Sequence, residues 1–244
     1  MKIELKNGFT IAELLIALSI VGIAAALTLP SLSISIENRA NGAALGRSVE
    51  AIESGCQALI QFANEKNSDG AIFTGHSKIT KDDIGESGTT PIINDNGLFK
   101  NASQFFKVRN LASLSGYDAK AYDGGTASPA LTAFAKGYAI SPKLGAYYGV
   151  LKAKFPESGA EDPLIESIII DVNGDKSPNR YGRDIFLFGL TDSCHMIPAG
   201  SDRLSSFLLL SKPLPNETAG CTKSVTNGLS CTSRVVKNGY KIDY

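Results

Sequence analysis

The chain has 244 residues, enough for one large or two small globular domains, and it balances 24 Lys+Arg against 24 Asp+Glu. A formal net charge of zero, with no long basic run, argues against holding nucleic acid or an anionic membrane surface by bulk charge and leaves only local patches open to such contacts. A hydrophobic content of 43% excludes wholesale disorder, and 24 Gly with 10 Pro point to many turns.

The first predicted element is a helix over residues 9–29, where the only charge is Glu13 and the other hydroxyl groups are Thr10, Ser19 and Thr28. At about 1.5 Å per residue it is about 30 Å long, the thickness of a bilayer hydrocarbon core, so it is a transmembrane candidate. Before it, Lys2 and Lys6 oppose Glu4, which leaves 22 basic and 22 acidic residues after Pro30. The slightly basic leader predicts a cytoplasmic N-terminus and an exported remainder. A cleaved secretory signal, with Ala24-Ala25-Ala26 as its site, and an uncleaved signal anchor both accommodate the apolar run. Neither accounts for Glu13, since a carboxylate inside a hydrocarbon span costs about 2.5–3.5 kcal/mol or more and calls for a partner.

Gly8-Phe9-Thr10-Ile11-Ala12-Glu13, followed by the apolar helix and ending at Pro30, closely resembles the N-terminal signature of type IV pilins and type II secretion pseudopilins. Ala12 departs from the bulkier apolar residue common before the glutamate. The resemblance implies that a membrane prepilin peptidase cleaves between Gly8 and Phe9 on the cytoplasmic side and N-methylates Phe9. Glu13 then becomes the fifth residue of the mature chain, where the ammonium of Phe9 from an adjacent subunit neutralises it and sets the assembly register. The implied organisation is a leader (1–8), a transmembrane and assembly helix (9–30), its amphipathic continuation (31–66) and an exported domain (67–244).

Pro30 interrupts helical hydrogen bonding, yet the pattern beyond it is helical again. Leu45, Val49, Ile52, Cys56, Leu59 and Ala63 recur at steps of three and four and form one stripe, with Arg47, Glu50, Glu53 and Gln57 off it. This predicts an amphipathic helix to about residues 64–66, its stripe packed as core and Gly42 and Gly46 as points where it bends or melts. Residues 67–97 and 115–129 read as loops, separated by a short helix over 101–111 capped by Asn101. Strands are predicted over 145–155, 164–171 and 184–190, as antiparallel neighbours. Asn238-Gly239 predicts a closing β-hairpin, because that pair accepts the positive φ angles of a type I′ turn. The fold class is therefore α+β, pilin-like: a long N-terminal helix, transmembrane then amphipathic, packed on a C-terminal antiparallel β-sheet.

Between two of those strands, Asp171, Asn173 and Asp175 alternate oxygen side chains in a Gly-containing turn, and Asn179 and Asp184 or backbone carbonyls complete a candidate Ca²⁺ shell. The fit to an EF-hand is poor, with Lys176 at the sixth position and Gly182 at the twelfth. Major pseudopilins bind calcium in a C-terminal loop, and the resemblance extends to this segment without a ligand-by-ligand match. The competing reading is an Asx-rich turn that satisfies its own backbone. Four cysteines allow three pairings. Cys221 and Cys231 flank a short polar loop whose closure braces the C-terminal end, as disulfides often do in pilins. Cys56 then pairs with Cys194 or packs as a small core residue.

No Gly-x-Ser-x-Gly, His-Glu-x-x-His or phosphate-binding glycine loop occurs. The expectation is a non-enzymatic filament subunit of a pilus, secretion pseudopilus or DNA-uptake filament, in the bacterial inner membrane with its domain periplasmic or extracellular. Its partners are prepilin peptidase, other subunits and an inner-membrane assembly platform. The alternative is a secreted or membrane-anchored β-rich binding domain with an ordinary signal segment.

Overall fold

A computed structural model of the chain describes residues 10–65, 99, 103–111, 119–125, 138–150, 153–154, 164–174, 176–177, 179–204, 208–209, 212–213, 217–221 and 228–244. The predicted loop over 67–97 lies outside the described residues. Contacts divide the chain into two units, 1–40 and 41–244, each taken by itself below.

The first unit holds the opening turns of helix α1, Ile11–Glu65. Its large hydrophobic side chains from Ile11 to Ile36 are exposed, and the most hydrophobic 18-residue stretch is 0% buried. The helix continues through Pro30 rather than stopping there. Among the described residues it is the one helix long and apolar enough to cross a membrane.

In the second unit, α2 (Ser103–Phe106) leads into a six-stranded antiparallel sheet. Its strands are β1 (Arg109–Leu111), β2 (Tyr138–Ile140), β3 (Tyr147–Val150), β5 (Leu164–Asp171), β6 (Ile185–Thr191) and β7 (Met196–Pro198), ordered β1-β2-β3-β5-β6-β7. The predicted strand over 145–155 is split. Its second part, β4 (Ala153–Lys154), joins β8 (Leu208–Leu209) and β9 (Lys212–Pro213) in a separate small sheet. The expected helix over 101–111 ends early, because Lys107 turns left-handed (φ 51) and Val108 N–H donates back to Ser103 O. The chain then leaves as β1, where Leu111 pairs with Tyr138.

β5 and β6 form the longest pairing of the sheet, with Ile168 opposite Phe188 and Ile170 opposite Phe186. These four side chains face the α1 stripe, and Leu45, Val49, Ile52, Cys56 and Leu59 are buried with them in one cluster that also takes Tyr148, Phe99 and Phe106. At roughly 1.5–3 kcal/mol for each large side chain fully buried, this seam is the main stabilising surface of the unit. β6 is buried along its whole length, so both sheet faces are covered.

Two expectations are corrected here. The C-terminal stretch is not a hairpin: Cys231–Lys237 forms helix α4, which follows the short α3 (Glu217–Gly220). Asn238-Gly239 serves as its C-cap, with Gly239 N–H donating to Val236 O and Tyr240 N–H to Val235 O, a Schellman closure around Gly239 at φ 65. Gly42 and Gly46 are not points of melting either, since α1 runs unbroken through both. A Cβ on Gly42 falls 1.9 Å from Tyr240 O, and one on Gly46 meets the Tyr240 ring at 3.3 Å. The two glycines form a notch that admits the turn after α4.

Candidate functional site

Gly8 and Phe9 lie outside the described residues, and Glu13 stands in the first turn of α1. Thr10 N–H and Thr10 Oγ1 each donate to Glu13 Oε2 at 2.8 Å, and Glu13 N–H donates to Thr10 Oγ1 at 3.2 Å. This reciprocal arrangement is a capping box: Thr-x-x-Glu at a helix start satisfies donors that have no partner inside the helix. The signal for it is present in the sequence as Thr10-Ile11-Ala12-Glu13, the Thr-x-x-Glu spacing of a capping box. Along the apolar face, Ser19 Oγ donates to Leu15 O at 2.7 Å and Thr28 Oγ1 to Ala24 O at 3.0 Å, so both hydroxyls are satisfied within the helix.

The turn from Asp171 to Asp184 brings Asp171, Asn173 and Asp184 together. Asp171 Oδ1 accepts from Asn173 N–H at 3.2 Å and Gly174 N–H at 2.9 Å. Asp184 accepts from Arg180 N–H through one oxygen and from Asn173 Nδ2 at 3.4 Å through the other. Asn179 is left-handed at φ 46, and with its side-chain amide oriented by its carbonyl neighbours the nitrogen donates to Lys176 O at 2.7 Å and Gly174 O at 3.1 Å. Asp175 lies outside the described residues. Burial pushes the Asp184 carboxyl up to about 6 against the pull of these hydrogen bonds. Burial first, and the charge of Asp171 second, raise the Tyr181 phenol.

Asn173 Oδ1 is buried with no hydrogen-bond partner among the described residues. Two buried carboxylates and an orphaned amide oxygen are donor chemistry suited to a hard cation, though fewer than the six to eight oxygens of a calcium shell. Among the described residues no group of three or more His, Cys, Asp or Glu is placed to hold a metal ion.

Two disulfides are present. Cys56–Cys194 ties α1 to the β6–β7 turn across 138 residues, and Cys221–Cys231 joins the residue just after α3 to the start of α4 across 10. Beside the first, Glu53, Ser54, Gln57, Ala58, Gln61, Cys194 and His195 line an open groove of about 450 Å³. There Glu53 Oε1 accepts Met196 N–H at 2.8 Å, and Gln57 Nε2 donates to Ser193 O at 2.9 Å. His195 Nδ1 lies 3.1 Å from Ser193 Oγ. With Cys194 bonded, the Cys194-His195 neighbours hold no free thiol for nucleophilic work.

Residues 5–29 match the model of a family described as the prokaryotic N-terminal methylation motif. That stretch is the type IV pilin and pseudopilin signature, and it covers Gly8, Phe9 and Glu13 while stopping one residue short of Pro30. No curated protein and no solved structure matches the chain.

Proposed function

We propose that the chain is a structural subunit of a type IV pilus or type II secretion pseudopilus, cleaved after Gly8 and N-methylated on Phe9 by prepilin peptidase. One observation carries the reading: the methylation motif over residues 5–29 heads an apolar helix whose large hydrophobic side chains from Ile11 to Ile36 are exposed. An exposed apolar surface of that length needs lipid before assembly and other helices after it. The subunit is held in the inner membrane by residues 9–30, with its N-terminus cytoplasmic and residues 67–244 on the exported side. It leaves the bilayer through an assembly platform and packs its helix among those of other subunits. Such a heterologous contact does not close, so repetition yields a fibre.

In the isolated chain Glu13 caps its own helix. On assembly its carboxylate, which has room for further donors, also takes the methylated ammonium of a neighbouring Phe9. Mass spectrometry of the mature N-terminus is the test. A methylated Phe9 supports the reading, while a terminus near Ser31 or an intact Met1 overturns it in favour of a secreted or anchored β-rich domain. Glu13→Ala is expected to insert in the membrane at least as well as wild type yet to assemble poorly. Normal incorporation of that variant into fibres overturns the charge-pairing step.

A cation at the turn from Asp171 to Asp184 is a second proposal, supported by the orphaned Asn173 Oδ1 between two buried carboxylates. Asp171, Asn173 and Asp184 supply the first donors, and Asp175 and a carbonyl near Asn179 add to them. Calcium is expected to raise the melting temperature and chelator to lower it. An unchanged melting temperature overturns the site.

A further inference from the structure

Helix α1 and the β6–β7 turn meet at a seam where Cys56 and Cys194 stand with their Cα atoms 5.6 Å apart, inside the range that a disulfide spans. Two hydrogen bonds bracket the pair. Gln57 Nε2 donates to Ser193 O at 2.9 Å, just before Cys194, and Glu53 Oε1 accepts from Met196 N–H at 2.8 Å, just beyond it. On the helix, Glu53 lies one turn before Cys56 and Gln57, so all three reach the same stretch of the turn.

The turn keeps its own shape through bonds that involve no sulfur. Thr191 N–H donates to His195 O at 3.0 Å, Cys194 N–H to Thr191 O at 3.0 Å, and His195 N–H to Thr191 Oγ1 at 2.9 Å. Together they hold Cys194 at φ 72, a left-handed conformation that a residue with a Cβ seldom adopts. Main-chain and polar side-chain contacts therefore set both the shape of the turn and its seat on the helix, and neither requires the sulfurs to be bonded. A disulfide closes in proportion to the time its thiols spend in bonding geometry, so contacts that order the reduced chain raise the effective concentration of one thiol at the other.

We propose that Glu53 and Gln57 are positioning residues for oxidation: they seat the turn on α1 in the reduced chain, so that the fold itself selects Cys194 as the partner of Cys56 among the other cysteines. The oxidant is a low-molecular-weight disulfide. One cysteine thiolate attacks a sulfur of that disulfide, which forms a mixed disulfide and releases one thiolate. The second cysteine thiolate then attacks the protein sulfur of the mixed disulfide and releases the other. Both electrons and both cysteine protons end on the reagent, which leaves as a pair of thiols. The device lies within residues 41–244 and does not depend on filament assembly.

The experiment equilibrates the full chain, in uncharged maltoside micelles, with reduced and oxidised glutathione over a series of ratios. Each bridge is quantified by alkylation and peptide mass mapping, and Cys221–Cys231, which lies on other elements, is the internal reference. Glu53→Ala with Gln57→Ala is expected to lower the effective concentration at Cys56–Cys194 roughly tenfold and to leave the reference unchanged. Glu53→Gln keeps an acceptor oxygen for Met196 N–H and is expected to stay within about twofold of wild type. Gln57 is exposed, so Gln57→Ala alone, with an expected fall of about threefold, decides the matter if the double variant fails to fold. A fall confined to Cys56–Cys194 supports the proposal. An equal fall at both bridges, which a plain loss of stability produces, overturns it, as does an unchanged midpoint. A Glu53→Gln value as low as that of the alanine pair overturns it as well.

Discussion

At Glu13 the same carboxylate answers two needs, because a helix start must satisfy its free amides and a hydrocarbon span must not hold a bare charge. Thr10 meets the first need by trading hydrogen bonds with Glu13. Thr10→Ala is expected to weaken the first turn by about 1 kcal/mol, read as roughly fivefold faster amide exchange over residues 11–14 in micelles. Unchanged exchange there would mean that the cap does not form in solution. At Asp184 the balance runs the other way, since burial raises the carboxyl to about 6 in the folded chain. Above that pH the folded chain keeps a buried charge that the unfolded chain leaves in water, and stability suffers. As pH falls from about 6 toward about 4, only the folded chain takes up the proton, so stability rises across that window by about 3 kcal/mol at most. In Asp184→Asn the new amide still accepts from Arg180 N–H, and Asn173 can turn its unpartnered Oδ1 toward the new Nδ2. With chelator present, the variant is expected to be the more stable chain at pH 7.5 and to lose that advantage at pH 4.5 in urea unfolding. Parallel stability curves for the two chains would discard the buried-charge argument.

Among the elements, those whose side-chain period and backbone preference agree were legible before the structure. Leu164–Asp171 is a strand over the predicted residues because its β-branched run suits a pleated, buried ribbon. The α1 stripe is buried at Leu45, Val49, Ile52, Cys56 and Leu59 because the period of 3.6 admits one inward face. Asn238-Gly239 suits either ending in sequence, because a hairpin turn and a helix C-cap both use a left-handed glycine. A type I′ turn needs two positive φ angles in that pair, and Asn238 sits at φ −85. The role of Gly42 and Gly46 is hidden in sequence because helix propensity is local, whereas the Tyr240 turn that needs their bare surface comes from the far end of the chain. Glycine substitutions separate the two roles. Gly239→Ala meets no atom within 4 Å and is expected to cost only the left-handed strain, about 1 kcal/mol. Gly42→Ala drives a methyl into Tyr240 O and is expected to cost clearly more, about 2–3 kcal/mol, despite the better helix propensity of alanine. Thermal melts of the two variants check the order, and equal losses would remove the notch as an explanation.

Across the whole molecule, what sequence hides is the meeting of distant segments. Tyr122, Arg183, Arg234 and Tyr244 carry no shared period or motif, and only the folded chain stacks them as cation, ring, ring and cation. The cysteines were more legible, because an even number on an expected exported side points to bridges formed in an oxidising compartment. The two bridges do different work. Cys221–Cys231 closes a span of 10 residues, whereas Cys56–Cys194 closes 138 and fastens the amphipathic part of α1 to the β6–β7 turn. In the chain-entropy account a longer closed loop removes more freedom from the unfolded chain, about 5 kcal/mol for the long loop against about 3 for the short one. At about 2–4 °C per kcal/mol for a domain of this size, Cys56→Ala with Cys194→Ala is expected to lower the melting temperature by about 10–20 °C. Cys221→Ala with Cys231→Ala is expected to lower it by about 6–12 °C. A reversed order of melting temperatures would show that local packing around Cys231, not closure of the long loop, governs the stability of residues 41–244.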